Sequence, residues 1–209
     1  KSVKLFKVNG SGIDFRNFTT PLMKNDFNRK IIFIGRLIND KGISVITNNL
    51  EELDLFLSSI NVTLTVIGEY IPLNPDSITD SEYMKLKKAK SIKYIEGPLN
   101  LSKYYNESDL ILNFSHREGL SRVIIEAMYY GNGVITNNNP GCYEMLVSNN
   151  INYIINTSDL SMLKRKIIEF YNLKSEIITR DRRVNSDHIS SNFNSKVIFD
   201  SYCKIILKN

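Results

Sequence analysis

The chain has 209 residues, of which 42% are hydrophobic and 23% are charged, so we expect one domain with a sizeable core. It contains no run of about 20 apolar residues, which excludes a membrane-spanning helix within this sequence. The net charge of +5 comes from 27 basic and 22 acidic residues. Because these are interspersed, the charge does not indicate a nucleic-acid binder, but it suits an anionic small ligand or an anionic membrane surface.

Cysteine and histidine usage excludes several kinds of site. Cys142 and Cys203 lie far apart, without partners at a metal-binding spacing, and we interpret them as reduced thiols of a cytoplasmic protein. With only His116 and His188 besides, no zinc site can be assembled. The sequence starts with neither Met nor a signal-peptide block, so we expect a fragment of a longer protein.

Short apolar runs alternate with longer amphipathic segments, which predicts an α/β domain with a parallel sheet. Residues 1–29 precede the first apolar run, and we interpret them as a linker entering a domain of residues 30–209. The runs are rich in Ile, Val and Leu, as in strands that helices cover on both faces. The predicted strands are Lys30–Gly35, Val62–Gly68, Ile92–Ile95, Leu110–Phe114, Val134–Thr136 and Tyr153–Ile155.

Helices are predicted between these strands. The segment Lys41–Ile60 repeats apolar residues on one helical face, at Ile43, Ile46, Leu50, Leu53 and Leu57. Further helices are predicted at Asp80–Ser91, Arg122–Tyr130, Ser161–Leu173 and around Lys196–Leu207. The second of these carries a basic run, which is either a solvated helix face or a membrane-contacting patch.

The first candidate site follows the first strand, in the sequence GRLINDKG at Gly35–Gly42. Ligands of open parallel sheets bind outside the carboxyl ends of the strands. Arg36 and Lys41 suit two phosphate groups, because Arg can bind one with its planar fork and the flexible Lys can follow the other. The alternative is a pair of exposed loop charges, and these residues alone leave both interpretations open.

The second candidate site, residues 115–127, follows the strand Leu110–Phe114 and opens a helix. Its free N–H groups, at Gly119, Leu120 and Ser121, are expected to face the same crevice and to attract phosphate. Glu118 and Glu126 are eight residues apart, about 12 Å along a helix, and carboxylates suit sugar hydroxyls. The alternative is two solvated glutamates on an ordinary helix.

The ordered motifs of the chain resemble those of the group-1 retaining glycosyltransferases of GT-B architecture, specifically their C-terminal donor-binding domain. The matching segments are GSGID at Gly10–Asp14, GRLINDKG at Gly35–Gly42, VIGEY at Val66–Tyr70, YIEG at Tyr94–Gly97, REGLSRVIIEAM at Arg117–Met128 and GNGVITNNNPGCYEML at Gly131–Leu146. The chain departs from the family at Asn132-Gly133, where a basic residue and Pro are usual, and at Tyr143, where Arg is common.

The resemblance implies a Rossmann-like parallel sheet with helices on both faces, which forms one half of a GT-B enzyme. Arg36 and Lys41 would neutralise the diphosphate and stabilise the leaving group, while Glu118 would face the donor sugar. Glu126 would hold the ribose. The other implied donor-binding positions are Gly12 in the linker, Gly35, the backbone of Ile95 beside the base, His116, and the backbone donors Gly119, Leu120 and Ser121. His116 is otherwise a simple polar residue at a strand end.

The implied activity is retaining transfer of a hexose or N-acetylhexosamine from a nucleotide diphosphate sugar, expected to be UDP-linked. The acceptor would be a saccharide or a lipid-linked saccharide in bacterial surface polysaccharide or glycan assembly. No cofactor or metal is expected, because the sequence lacks an Asp-x-Asp pair. The enzyme would work in the cytoplasm, with peripheral contact at the inner face of the plasma membrane, and the fragment would be inactive without an N-terminal acceptor domain.

Two alternatives remain open. A non-catalytic nucleotide-sugar-binding module would need the same donor site but no acceptor domain. A dinucleotide-dependent oxidoreductase shares the fold class, but after Gly10-Ser11-Gly12 the third glycine of its fingerprint is replaced by Phe15.

Overall fold

The structure is a computed structural model that describes residues 10–23, 25–97 and 100–207. Its strands are β1 Lys30–Ile34, β2 Thr63–Gly68, β3 Ile92–Glu96, β4 Leu110–Asn113, β5 Gly133–Asn137 and β6 Asn152–Ile155. They form one sheet in the order β3-β2-β1-β4-β5-β6, with all neighbouring pairs parallel. All six predicted strands are confirmed, and their ends differ from the prediction by at most one residue.

Helices pack on both faces of this sheet, as predicted. The helices are α1 Ser44–Thr47, α2 Leu50–Ser59, α3 Asp80–Lys88, α4 Ser102–Glu107, α5 Arg122–Tyr129, α6 Pro140–Tyr143, α7 Leu160–Tyr171, α8 Ser175–Asn192 and α9 Ser195–Leu207, with short 3-10 turns at Phe15–Asn17 and Asn39–Lys41. Because side chains alternate along a strand, Ile31 and Phe33 of β1 belong to one apolar core and Ile32 to the other. Within the described ranges, no helix is long and apolar enough to cross a membrane.

The predicted single helix Lys41–Ile60 is wrong, because two residues interrupt it. The chain forms α1, then leaves the helix at Asn48 and Asn49, and then forms α2. The side-chain amide of Asn49 donates to the carbonyl of Val45 at 3.0 Å. Asparagine side chains compete in this way for backbone groups, so an apolar stripe can continue across a break in the helix.

Helix α8 was not predicted, because its buried face is polar. Asp181, Arg182, Asn185 and Ser186 are all buried, and each has a hydrogen-bond partner. Periodicity analysis looks for apolar residues, and α8 has too few of them to stand out. The short helices α4 and α6 were also missed.

The described part of the predicted linker packs against the domain. Ile13 is buried and its amide donates to the carbonyl of Phe193 at 2.8 Å. The ring of Phe15 stacks on Tyr129 with centroids 4.3 Å apart. Residues 1–9 lie outside the described residues, and the division of the chain at residue 30 stays a prediction.

Candidate active site

The two predicted motif clusters leave the sheet side by side. Strands β1 and β4 are neighbours, whereas the next strand along the chain after β1 lies on its other side. At such a switch point the loops after the two strands turn toward opposite faces, which leaves a crevice at the carboxyl edge of the sheet. The loop after β1 carries Arg36 and Lys41, and the loop after β4 leads to Glu118 and α5.

Glycine allows these two loops to touch. Gly42 has a φ of 78°, a left-handed conformation, and a Cβ added there would lie 2.3 Å from the carbonyl oxygen of Phe114. Any larger residue would therefore push the loop after β1 away from the end of β4. The amide of His116 donates to the carbonyl of Asp40 at 2.8 Å, which fixes the two loops to each other.

Two ion pairs cross between the loops. Lys41 Nζ lies 2.5 Å from Glu118 Oε1, and Arg117 Nε lies 3.7 Å from Asp40 Oδ1. Asp40 and Arg117 were not predicted as site residues, although the sequence carries a signal for them. The acidic residue comes first in Asp40-Lys41 and the basic residue comes first in Arg117-Glu118, so the two motifs are complementary in charge.

Arg36 adds an uncompensated cation beside these pairs. It follows directly after Gly35, whose added Cβ would lie 3.5 Å from Lys41 Cβ, so the Lys41 side chain starts next to the end of β1. Arg36 is exposed, and within the described part of the chain it forms no ion pair. The guanidinium is therefore available to an anionic ligand.

The N-terminus of α5 offers fewer free amides than expected. The Ser121 amide donates to the carbonyl of Gly141 at 2.8 Å, so our expectation of a free N–H at Ser121 is wrong. The amides of Gly119 and Leu120 have no acceptor among the described residues. Gly119 is exposed, and a Cβ added there would contact nothing within 4 Å. These two amides precede a helix start, where an anion is favoured.

Glu126 is held in the second turn of α5 by two donors. Tyr105 Oη donates to its carboxylate at 3.1 Å, and Arg122 Nη2 donates to the other oxygen at 3.3 Å. Burial raises the pKa of Glu126, and the Tyr105 hydrogen bond and the charge of Arg122 oppose that rise. Tyr105 could not be connected to this site from the sequence, because it lies on the unpredicted helix α4.

The other predicted residues lie in different parts of the fold. Ile95 lies in β3, the last strand on one side of the described sheet, where it is in register with Ile67 of β2. Gly12 packs at the junction of α8 and α9, where its added Cβ would lie 2.7 Å from Ser195 Cα. Gly10 instead approaches the second motif, since its added Cβ would lie 3.0 Å from Leu120 Cδ2.

The buried cysteine and the histidine of α8 do not lie together in a catalytic or metal site within the described residues. Cys142 is buried beside Asn113, and burial raises the pKa of its thiol to about 11, so it is a packed thiol. His188 lies on α8 and contacts Asn192. No group of three or more His, Cys, Asp or Glu able to hold a metal ion occurs in the residues that the structure describes.

An open parallel sheet of this order, with helices on both faces, defines a domain of the Rossmann-like class. The chain belongs to the group 1 glycosyl transferases, because the model of that family matches residues 14–186. Its sheet is the Rossmann-like half of the GT-B architecture. The resemblance stated from the sequence is thus confirmed.

Similar proteins agree with this assignment. The chain is 28% identical over 204 residues to the capsular polysaccharide biosynthesis glycosyltransferase CapM of Staphylococcus aureus, covering 91% of this chain and 51% of CapM. The chain spans about half the length of the curated relatives it matches, 51% and 46%.

Two solved structures share the fold. The C-terminal domain of the group 1 glycosyl transferase LpcC of Francisella tularensis superposes with a TM-score of 0.69 at 22% identity, covering 88% of this chain and 99% of that one. Anabaena HepE, solved in complex with UDP and glucose, gives a TM-score of 0.66 at 17% identity, covering 88% of this chain and 49% of HepE.

Proposed function

We propose that this chain is the donor-binding half of a retaining glycosyltransferase that takes a hexose or N-acetylhexosamine from a UDP-sugar. The observation that carries the proposal is the Lys41–Glu118 ion pair, which joins the loops after the neighbouring strands β1 and β4. Arg36 and the amides of Gly119 and Leu120 lie on the same two loops. UDP is favoured because HepE was solved with UDP and glucose. The name of CapM supports an acceptor in surface polysaccharide assembly, either a saccharide or a lipid-linked saccharide.

In this proposal the chain stabilises the leaving group. When the bond between the anomeric carbon and the phosphate oxygen breaks, its electron pair stays on the diphosphate. Arg36 and Lys41 neutralise that charge, and the amides of Gly119 and Leu120 donate to its oxygens. Because these groups are held in place before the reaction, they need little reorganisation as charge develops. We propose that they do this in place of a divalent metal.

The remaining contacts position the donor. Glu126, oriented by Tyr105 and Arg122, accepts hydrogen bonds from the ribose hydroxyls. Glu118 faces the donor sugar, and the backbone of Ile95, in the outermost described strand β3, remains a proposed contact to the base. Gly35, His116 and Ser121 line the same edge of the sheet, and Gly12 remains a proposed contact although its described neighbours are in α9.

The acceptor is bound by the part of the protein that this chain does not span. We therefore propose that the chain alone binds the nucleotide but transfers little or no sugar. We also propose that the complete enzyme works in the cytoplasm, in peripheral contact with the inner face of the membrane, where a net charge of +5 favours an anionic surface.

Binding and transfer measurements test this proposal separately. Calorimetry on the chain with UDP, GDP, ADP and NAD should show binding of UDP and weaker or no binding of the others. A transfer assay with a panel of UDP-sugars should show activity in the longer protein that contains this chain. Failure of every nucleoside diphosphate to bind would contradict the proposal, and binding of NAD alone would favour an oxidoreductase. UDP-sugar binding without transfer by the longer protein would indicate a binding module.

A further inference from the structure

The ammonium group of Lys41, which the proposed donor would bind, is paired with the carboxylate of Glu118 in this structure. The two side chains are largely buried, with exposures of 25% and 22%, and their charged atoms are 2.5 Å apart. The Lys41 ammonium has three N–H donors, but Glu118 already compensates its positive charge. An oxygen of a diphosphate that binds Lys41 therefore competes with the Glu118 carboxylate for that charge and weakens or displaces the existing contact.

Displacement of Glu118 requires only a side-chain movement. The loops remain joined by the hydrogen bond from the His116 amide to the Asp40 carbonyl, and by Ser115 Oγ, which donates to the same carbonyl at 3.3 Å. The Arg117–Asp40 pair also remains. The backbone on which Lys41 and Glu118 stand therefore stays in place while their ion pair is exchanged.

We propose that Glu118 makes the site select a nucleotide sugar over the bare nucleoside diphosphate; this inference rests on the proposed function. Both ligands compete with Glu118 for Lys41. A donor sugar supplies hydroxyl groups that the freed carboxylate can accept, so its lost partner is replaced. A bare diphosphate supplies no donor and carries more negative charge at its terminal phosphate, so the freed carboxylate is left unpaired and is repelled.

Glu118 is thus a specificity-determining residue that lowers affinity for the product of transfer. After the sugar leaves, Glu118 loses its hydroxyl partners and competes again for Lys41. The competition weakens binding of the released nucleotide. The expected signature is an affinity for the bare nucleotide that increases when the charge of Glu118 is removed.

The test compares nucleotide affinities by calorimetry. The variant Glu118→Gln keeps the size of the side chain but removes its charge. It should bind UDP about tenfold more tightly than the unaltered chain, equivalent to about 1.4 kcal/mol. Its affinity for a UDP-sugar that the unaltered chain binds should not increase. The ratio of the affinity for the UDP-sugar to the affinity for UDP should therefore be smaller than in the unaltered chain.

The matched control is Glu107→Gln. Glu107 is also a glutamate paired with a lysine, Lys30, at 2.9 Å, but Lys30 begins β1 at the opposite edge of the sheet. The control should bind UDP as the unaltered chain does. An equal gain in both variants would show a general charge effect and would overturn the inference.

Two further outcomes separate this inference from the proposed function. If the unaltered chain binds UDP and Glu118→Gln binds it equally or less tightly, the inference fails while the proposed function stands. If neither binds any nucleoside diphosphate, the proposed function fails. Should Glu118→Gln not fold, a crystal structure of the unaltered chain with UDP decides, because a Lys41–Glu118 contact that persists beside bound UDP would overturn the inference.

Discussion

Each edge of the sheet has an ion pair, but the two pairs differ in how far they are exposed to solvent. At the amino edge, Arg182 Nη2 lies 2.9 Å from Asp109 Oδ1, and their side chains are 5% and 0% exposed. At the carboxyl edge, Lys41 and Glu118 form a shorter contact but remain 25% and 22% exposed. Distance alone therefore does not distinguish a structural pair from a pair that a ligand can open.

The partners of each carboxylate explain the difference. Asp109 also accepts from the amides of Asn28 and Lys30, at 3.0 and 3.1 Å, so its oxygens are saturated by the fold itself. Glu118 is bound through Lys41, with open space at the adjacent Gly119. A saturated buried pair stabilises the fold, whereas a pair with a single bond beside a crevice can exchange its partner.

Removing the cation at the amino edge should give the largest effect. Arg182→Met leaves Asp109 as a buried charge without its cation, and we expect a loss of about 3–5 kcal/mol in the free energy of unfolding. Urea denaturation measures it. Arg183→Met is the control on the same helix, because Arg183 is exposed and its loss should cost about 1 kcal/mol or less. Equal losses in the two variants would contradict the contrast between the edges.

This amino edge shows why part of the fold could not be predicted. The strands follow from continuous apolar runs such as KIIFI at Lys30–Ile34, whose burial on both faces needs no partner-specific information. Helix α8 is fixed by Asp109 and Asn132, which lie more than 50 residues earlier in the chain. A pattern confined to a few helical turns contains no record of such partners.

Removing the cation at the carboxyl edge should affect activity and leave the fold intact. Lys41→Ala should lower transfer by the proposed longer enzyme about 10²–10³-fold, because one preorganised charge beside the leaving group is lost. Arg36→Ala should act in the same direction. The free energy of unfolding should change by about 1 kcal/mol or less, since the Lys41 pair is partly exposed.

The control for this experiment is Lys30→Met. Lys30 also forms a glutamate pair, with Glu107 at 2.9 Å, but at the amino edge. Its substitution should leave transfer unchanged. Full activity in both Lys41→Ala and Arg36→Ala would remove the proposed role of this edge in the reaction.

More of the candidate site than of the amino edge could be predicted, because its residues lie in the loops that directly follow two predicted strands. Arg36 and Lys41 follow one strand and Glu118 follows another, so the rule on carboxyl ends brings them together without coordinates. The sequence could not show that the Ser121 amide is occupied by Gly141, since that bond depends on how the turn after β5 packs. It also could not show that Lys41 and Glu118 contact each other in the free chain.

Substitution of Glu126 tests whether a residue proposed to bind the ligand at the carboxyl edge lowers the stability of the fold. Burial raises the pKa of Glu126, so the folded state binds its proton more tightly than the unfolded state does. The contribution of Glu126 to stability is then greatest below its ordinary pKa of 4.5 and falls as pH rises through the raised pKa. Glu126→Gln should therefore raise the melting temperature at pH 7 and flatten this dependence. It should also bind UDP about tenfold more weakly, because a charged acceptor for hydroxyl groups is lost.

Melting curves between pH 4 and pH 8 and calorimetry with UDP measure the two effects of Glu126→Gln. Glu169→Gln is a suitable control, since Glu169 is a more exposed carboxylate on α7 that is paired with Lys166. It should change neither the UDP affinity nor the pH profile in this direction. A Glu126→Gln variant that is less stable than the unaltered chain at pH 7 would show that this carboxylate belongs to the structural kind found at the amino edge.

The smallest effect is expected from the residue that orients Glu126. Tyr105→Phe removes the hydroxyl that donates to the Glu126 carboxylate at 3.1 Å but keeps the buried ring. A single hydrogen bond to a charged group contributes about 1.5 kcal/mol or somewhat more, and Arg122 still holds the other oxygen, so we expect UDP affinity to fall by about two- to fivefold. In the Glu126→Gln background the same substitution should have less effect, because the charged acceptor is already gone. Equal effects in both backgrounds would show that the Tyr105 hydroxyl does not act through the charge of Glu126, and the carboxyl edge would then depend on Glu126 without a dedicated orienting partner.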